Sequence, residues 1–379
     1  MKSRVAITRC KDYDKEGVYS SLKQVFNLLG GIEKYLSAGQ KVLIKPNMLS
    51  QRPPESGAGT HPEFVRALIR IVRDAGALPM VGDSPGGTIK YADLVYEKCG
   101  MKRICEEEKC PLVKFDKAIN INGFPVADAI REVDLIINAP KAKTHNLMTI
   151  TGALKNNFGF LCGLAKTQYH LEHTDIYDFA NVLVDVYECI KPRISIMDAV
   201  YAMEGEGPVG GGLRNLGLII ASEDAVALDS AFCHIIGLNP RLVPALFTAE
   251  KRRLGKTALG EIEILGEKIE NVKAERFMLP PQIIYTKVPK FLLGLVKKLV
   301  KFLPTINMRL CAKCRICETA CPRKAITISD TQCIIDYKKC IRCMCCFEFC
   351  PHGALFMKRS LLARIGTRNW EFKGSDKPC

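Results

Sequence analysis

Eight cysteines towards the C-terminus repeat one spacing twice. Cys311, Cys314, Cys317 and Cys321 follow at x2, x2 and x3 intervals, with Pro322 after the last. Cys340, Cys343, Cys346 and Cys350 reproduce the pattern 29 residues on, with Pro351 in the same place. Pro322-x-x-Ala325-Ile326 also echoes Pro351-x-x-Ala354-Leu355, so the unit is an internal duplication. Three thiolates this close together grip three irons of a cubane from one loop. The fourth, before proline, sits too far along to close the same cube and crosses to the other. The spacing therefore predicts two 4Fe–4S clusters. Cys311, Cys314, Cys317 and Cys350 hold one, and Cys340, Cys343, Cys346 and Cys321 hold the second. Structural zinc is the alternative, but it uses paired C-x2-C arms without the third short step or the Cys-Pro ending. Cys333 and Cys345 fall outside the pattern and are left out of the ligand set.

These fifty or so residues resemble the bacterial-type two-cluster ferredoxins. The resemblance implies a low-potential, one-electron carrier at each cluster and names no acceptor.

Other candidate chemistry lies at the ends of short apolar runs, where ligands of open parallel sheets gather. Lys45 and Asn47, Asp83 and Ser84, Lys141 with Lys143 and His145, and Asp198 leading to Glu204 and Glu206 stand there. Thr149 to Gly159 adds Thr151, Lys155, Asn156 and Asn157. Four lysines favour a small anionic substrate, a carboxylate or phosphate, held by Lys45, Asn47, Asp83, Ser84, Lys141, Asn156, Asp198 and Glu204. His145, Lys143 and Lys155 are the candidate catalytic groups. Asp198, Glu204 and Glu206 could instead hold a cation. The glycines from Gly205 to Gly212 make a loop able to close over a ligand. His170 and His173 have the spacing of some metal pairs but read as a surface helix end, and Asp229 and His234 read as structural.

Two apparent nucleotide motifs fail on context. Gly205 to Gly210 fits G-x-G-x-x-G, yet no strand immediately precedes it and a strand rather than a helix follows. Gly255-Lys256-Thr257 resembles the end of a phosphate-binding loop, but Glu250 stands where the earlier glycine is required.

The elements that would position these residues are legible in residues 1–282. KVLIKPN, ALPMVGDSP, VDLIINAPK, RISIMDAV and LGLIIASED read as buried strands with helical stretches between several of them. A helix opens at Thr60-His61-Pro62-Glu63 and stops at Gly76; another runs from Asp224 to Ile236 and is closed by Gly237. Asn122-Gly123 suggests a hairpin insertion. The pattern predicts an α/β domain with a mainly parallel sheet over 1–282. An amphipathic basic linker helix is expected over 283–306, bracketed by Pro289 and Pro304, with Lys290, Lys297, Lys298 and Lys301 on one face and Phe291, Leu292, Leu295, Leu299, Phe302 and Leu303 on the others. The small α+β cluster module occupies 307–357, and a basic tail 358–379.

KPN, PESGAGTHPEFVRALIRIVRDAGA, VGDSPGG, NAPKAKTH, TGALKNNFG, MEGEGP and LGLIIASEDAVALDSAF together resemble the domain-of-unknown-function family 362, in which fusion to a two-cluster module is typical. The resemblance implies the domain boundaries and the place of the site, and supplies no reaction. The leading expectation is a ferredoxin-coupled oxidoreductase acting on the small anion; the alternatives are an electron carrier whose α/β domain only docks partners and a non-redox acid–base enzyme with structural or sensing clusters.

Charge points to partners. The net charge is +15 over 379 residues. From Ile283 onward there are 19 Lys and Arg against 6 Asp and Glu, or +13, which leaves +2 for the rest. A basic quarter attracts acidic partners, so an acidic ferredoxin or flavodoxin is the expected redox partner, with peripheral membrane contact as the rival. Nucleic acid ranks last, since no stacking platform or nucleic-acid fold signature accompanies the charge. Ten of the eighteen cysteines crowd into 311–350, which points to metal rather than disulfides. No run of eighteen apolar residues exists, and MKSRVAITRC reads as a first strand rather than a signal core. A cytoplasmic location is expected, with the inner face of the membrane as the alternative.

Overall fold

The computed structural model describes residues 2–86 and 89–366. Its main sheet takes strands from most of the first 266 residues: β1 (Ser3–Arg9), β2 (Lys41–Lys45), β3 (Leu78–Asp83) and β4 (Leu112–Lys114). After an Asn122-Gly123 hairpin of β5 (Ala118–Ile121) and β6 (Phe124–Ala127) come β7 (Leu135–Asn138), β8 (Lys141–His145) and β9 (Thr149–Thr151). The long strands β10 (Ile194–Glu204) and β11 (Gly212–Ser222) and the edge strand β12 (Ile262–Gly266) complete it. The order is β12-β1-β11-β10-β7-β2-β3-β4, with β8 beside β10 and β9 beside β8. The β10-β7-β2-β3-β4 half is parallel throughout, while β11 runs antiparallel to both its neighbours. This is the expected α/β fold.

Alternation along β2 shows why the sheet is buried on both faces. Leu43 enters one core with the helices Ile176–Ile190 and Ala225–Ile235; Val42 and Ile44 enter the other with the helices Lys15–Leu28 and Pro62–Asp74. The helix Pro62–Asp74 starts as its sequence implies: the His61 ring accepts the Glu63 N–H, Pro62 takes the first turn, and Gly76 follows with φ of 76°. Lys45, Asp83 and Asn138 end three adjacent parallel strands, so their side chains emerge at one edge.

The C-terminal module pairs β13 (Phe302–Ile306) with β16 (Leu355–Arg359), and β14 (Ile326–Ile328) with β15 (Cys333–Ile335). Here the sequence reading needs revision. The linker helix covers only Lys290–Leu299, and Phe302–Ile306 is a strand. Pro304 is the cause: it cannot continue a helix and pushes Leu303 into extended backbone. The expected tail likewise contributes Lys358 and Arg359 to β16 and a helix at Leu361–Gly366; residues 367–379 lie outside those described.

Candidate functional site

The two cysteine arms share one backbone device. Lys313 and Arg315 in the first, and Arg342 and Met344 at the same places in the second, have φ between 53° and 65°. Non-glycine residues avoid that region. The same left-handed turns recur at the same places in both arms, a backbone geometry that anion-binding nests also use. Short helices follow, Ile316–Thr319 carrying Cys317 and Cys345–Phe349 carrying Cys346. Burial, then Cys350, Cys314 and Cys311, pushes the Cys317 thiol up to about 12. Burial, then Cys343, Cys340, Cys317 and Cys321, raises Cys346. A cavity of about 360 Å³ has Cys321, Cys340, Cys343 and Cys346 in its lining. The repeat extends to the sulfurs' donors: the Ala325 N–H points to Cys321 Sγ at 3.2 Å, and the Ala354 N–H to Cys350 Sγ at 3.3 Å. Thiols crowded in this way resist ionising together, and bound iron removes that resistance. The donor set fits an iron–sulfur cluster. Of the cysteines left out of the ligand set, Cys333 Sγ lies 3.5 Å from Cys311 Sγ, and Cys345 is buried beside Cys343.

The helix Cys345–Phe349 has a second face, and it forms part of another site. Glu348 and Phe349 close a cleft over the ends of β2 and β3, with an open volume of about 520 Å³. The approach is close enough to require glycine at position 86, where any side-chain carbon would collide with the Phe349 ring.

Inside the cleft, Lys45 pairs with Asp83 at 2.6 Å, both almost fully buried. Burial draws the lysine down and the carboxyl up, and each partner's charge opposes the other's shift. Gly159 covers the pair, and a side chain there would strike both. Lys166 donates to Ser84 Oγ and to Pro85 O at 2.9 Å, and to Ser84 O. Lys155 comes from the helical turn Ala153–Asn156, whose first two N–H groups are held by the buried Asp229 carboxylate. Its ammonium has no hydrogen-bond or ion-pair partner among the described residues. Burial lowers it, opposed by Glu348 and then Cys345. Asn156 is fixed between Asn47 and Asn138 by bonds of 2.9 and 2.7 Å.

Behind this wall stand two of the catalytic candidates. Lys143 Nζ is committed to Asn47 Oδ1 at 2.9 Å and to Ala58 O. His145 Nδ1 accepts the N–H groups of Leu147 and Met148, and its Nε2 lies 3.1 Å from Glu348 Oε1. Burial, then Lys155, draws the imidazole down to about 4, so it is neutral with its proton on the nitrogen facing Glu348. Burial pushes the Glu348 carboxyl up, but His145, Lys155 and His170 outweigh it and hold it at about 2.

The structure thus divides the residues expected at one site. Lys45, Asn47, Asp83, Ser84, Lys155 and Asn156 line the cleft; Lys143 and His145 back it. Lys141 and Asp198 form a separate buried pair at 2.9 Å, with Tyr13 and the His61 N–H also on the Asp198 carboxylate. Glu204 accepts the Met278 N–H, and Glu206 pairs with Arg359 at 2.8 Å. The three acids expected as a cation site are therefore each committed elsewhere. The glycine-rich loop packs beneath Phe347 of the module rather than over the cleft. Thr151 lines the cleft as well, whereas Lys166, His170, Glu348 and Phe349 were missed. His170, expected on the surface, is buried against Phe179 with ring centroids 4.1 Å apart.

Lys166 gives the cleft a pH dependence. Burial pulls its ammonium down to about 7, with Asp83 opposing. Its charge is complete below that value and lost as pH rises through it. Inorganic phosphate or sulfate is expected to bind several-fold more weakly at pH 8.5 than at pH 6, after allowing for the anion's own ionisation. Calorimetric titration checks this; Lys166→Met should flatten the profile, and an unchanged profile would move the dependence elsewhere.

Comparison with known proteins agrees with both halves of the chain. A family described as a domain of unknown function, DUF362, matches residues 42–234, and a 4Fe-4S binding domain matches residues 304–327. The thylakoid-associated protein sll1697 of Synechocystis sp. is 30% identical over 314 residues, covering 79% of this chain and 97% of that protein. A solved structure, the lactate racemase apoprotein from Thermoanaerobacterium thermosaccharolyticum, aligns with a TM-score of 0.36 at 11% identity. That alignment covers 60% of this chain and just over half (56%) of the racemase. With its family match spanning just over half the chain and a 4Fe–4S domain following it, this protein is an iron–sulfur member of the DUF362 family.

Proposed function

We propose that the chain is an electron-transfer protein with two 4Fe–4S clusters, and that it acts as an oxidoreductase on a small anion held in the cleft. One observation carries the reading: the helix Cys345–Phe349 presents Cys346 to the cluster module and Glu348 and Phe349 to the cleft. The clusters, when bound, supply one-electron chemistry. The chain's own residues do the rest. Lys155, with no hydrogen-bond or ion-pair partner among the described residues, meets the anion; Lys45 and Lys166 add positive charge around it. Phe158 and Phe349 exclude water from the cleft. The Lys155 ammonium, favoured by the Glu348 carboxylate that neutral His145 backs, carries a proton where a reduced product would need one.

The test uses anaerobic protein reduced with dithionite and followed by visible absorption. Small carboxylates and phosphate esters are added in turn. Catalytic reoxidation by one of them, lost in Lys155→Met, is the expected result. Reoxidation by protein acceptors alone would reduce the α/β domain to a docking platform.

The redox partner we propose is an acidic ferredoxin or flavodoxin, drawn by the +13 excess that begins at Ile283. At physiological ionic strength the screening length is about 8 Å, so encounter should slow steeply as salt is raised. Stopped-flow rates unchanged between low and high salt would remove this partner. The location we propose is the cytoplasmic face of a membrane. A thylakoid-associated relative supports it, and no helix among the described residues is long and apolar enough to cross a membrane.

A further inference from the structure

The helix Lys290–Leu299 packs by one side only. Leu293 is buried, and Lys297 turns inward towards Asp175 at 4.0 Å. Phe291, Leu295 and Leu299 stand four residues apart on the opposite side, 84%, 56% and 51% exposed, with Leu292 beside them. A second helix, Leu361–Gly366, does the same: Ala363 is buried, while Leu361, Leu362 and Ile365 are exposed. The two helices are joined through Ser360. Its N–H donates to Lys301 O at 2.9 Å, and its hydroxyl accepts the Lys301 N–H at 3.0 Å. Seven large apolar side chains thus project from two abutting helices, with Lys298, Lys301, Lys358 and Arg364 exposed among them.

We propose that this surface is where the protein lies on an anionic lipid membrane. Water-facing Phe, Leu and Ile on so short a stretch exceed the scattered apolar residues of an ordinary surface. Both helices show an inward small or apolar contact and an outward apolar face, which suits shallow entry into the headgroup layer rather than spanning. The cations on their flanks supply the charge complement to acidic headgroups. No acidic residue lies in either helix, so nothing opposes that attraction from within. The surface belongs to the same module as the clusters, through β13 and β16. The proposal rests on the membrane-face location above and names the side chains and the lipid charge responsible.

The test is flotation of the intact, cluster-loaded protein with vesicles of phosphatidylcholine alone or with phosphatidylglycerol. Binding to the anionic vesicles only is expected. It should fall at least tenfold in Phe291→Ser/Leu295→Ser and in Leu361→Ser/Ile365→Ser, with the visible absorption of the clusters unchanged to report intact folding. Binding that is unaltered in both variants, or absent in the wild type, overturns the surface. A wild-type dimer that both variants convert to monomer also overturns it, assigning the face to a second copy of the chain. Cell fractionation separates this from the broader reading. Wild-type protein in the membrane fraction without vesicle binding defeats the lipid surface alone; wild-type protein absent from that fraction defeats the location.

Discussion

Cys321→Ser is expected to halve the iron of anaerobically purified protein. Two cubanes give about eight irons and eight labile sulfides per chain, and the variant should keep about four of each. The reasoning is that Cys321, though it closes the first arm in sequence, belongs in space with Cys340, Cys343 and Cys346, beside which it lines one cavity. Serine is a poor match for a thiolate site, and three remaining thiolates leave one iron without its protein ligand. The surviving paramagnetic signal in the reduced protein should be that of the cluster of Cys311, Cys314, Cys317 and Cys350. Cys350→Ser should give the reciprocal pattern. If Cys321→Ser instead spared the second set and emptied the first, each arm would hold its own cluster and the crossed assignment would be wrong.

The second large effect is expected at Lys155. Replacing it by Met keeps most of the stem and deletes a cleft ammonium that has no hydrogen-bond or ion-pair partner among the described residues. A hydrogen bond to a charged group contributes about 1.5–3 kcal/mol, so anion affinity should drop by roughly 10- to 100-fold. Lys143→Met should act differently. Its ammonium holds Asn47 and the Ala58 carbonyl, so the loss should appear as lowered thermal stability as well as weaker binding. The double variant should show no anion binding in the cleft by calorimetry. Full affinity in Lys155→Met would place the anion elsewhere.

Much of this was readable along the chain. The strand ends were, because burial on both faces of a parallel sheet leaves apolar runs that stop at polar residues; Lys45, Asp83 and Asn138 follow from that rule. The duplicated cysteines were readable because their ligand spacing is local. The partition of the site was not. Lys141 opens β8 and Asp198 lies in the middle of the long strand β10, and the pairing of the two strands sets them opposite each other rather than at the edge. Lys166 and His170 lie on a weakly amphipathic helix whose sequence gives no reason to bury them; Ser84, Pro85 and Phe179, all distant in sequence, provide it. In the sequence Glu348 is an acid between two cluster cysteines, Cys346 and Cys350, with nothing local to place it in a cleft. Only the docking of its helix beneath Gly86 brings it to His145, two hundred residues away in the chain.

That helix, Cys345–Phe349, is five residues long. A segment this short cannot maintain itself, since the first hydrogen-bonded turn costs more than it returns. Its geometry is therefore imposed from its surroundings: by whatever grips Cys346 within it and Cys350 just beyond its end, and by the packing of Phe347 and Phe349 on the larger domain. Maturation of the protein then has a sequence in time. The α/β sheet can fold first, and the cleft gains Glu348 and Phe349 as that packing, together with ligation of the cysteines, fixes the segment that carries them. On the function proposed above, a newly made chain would then bind its anion poorly until metallation and would not commit a substrate before there are electrons to give it.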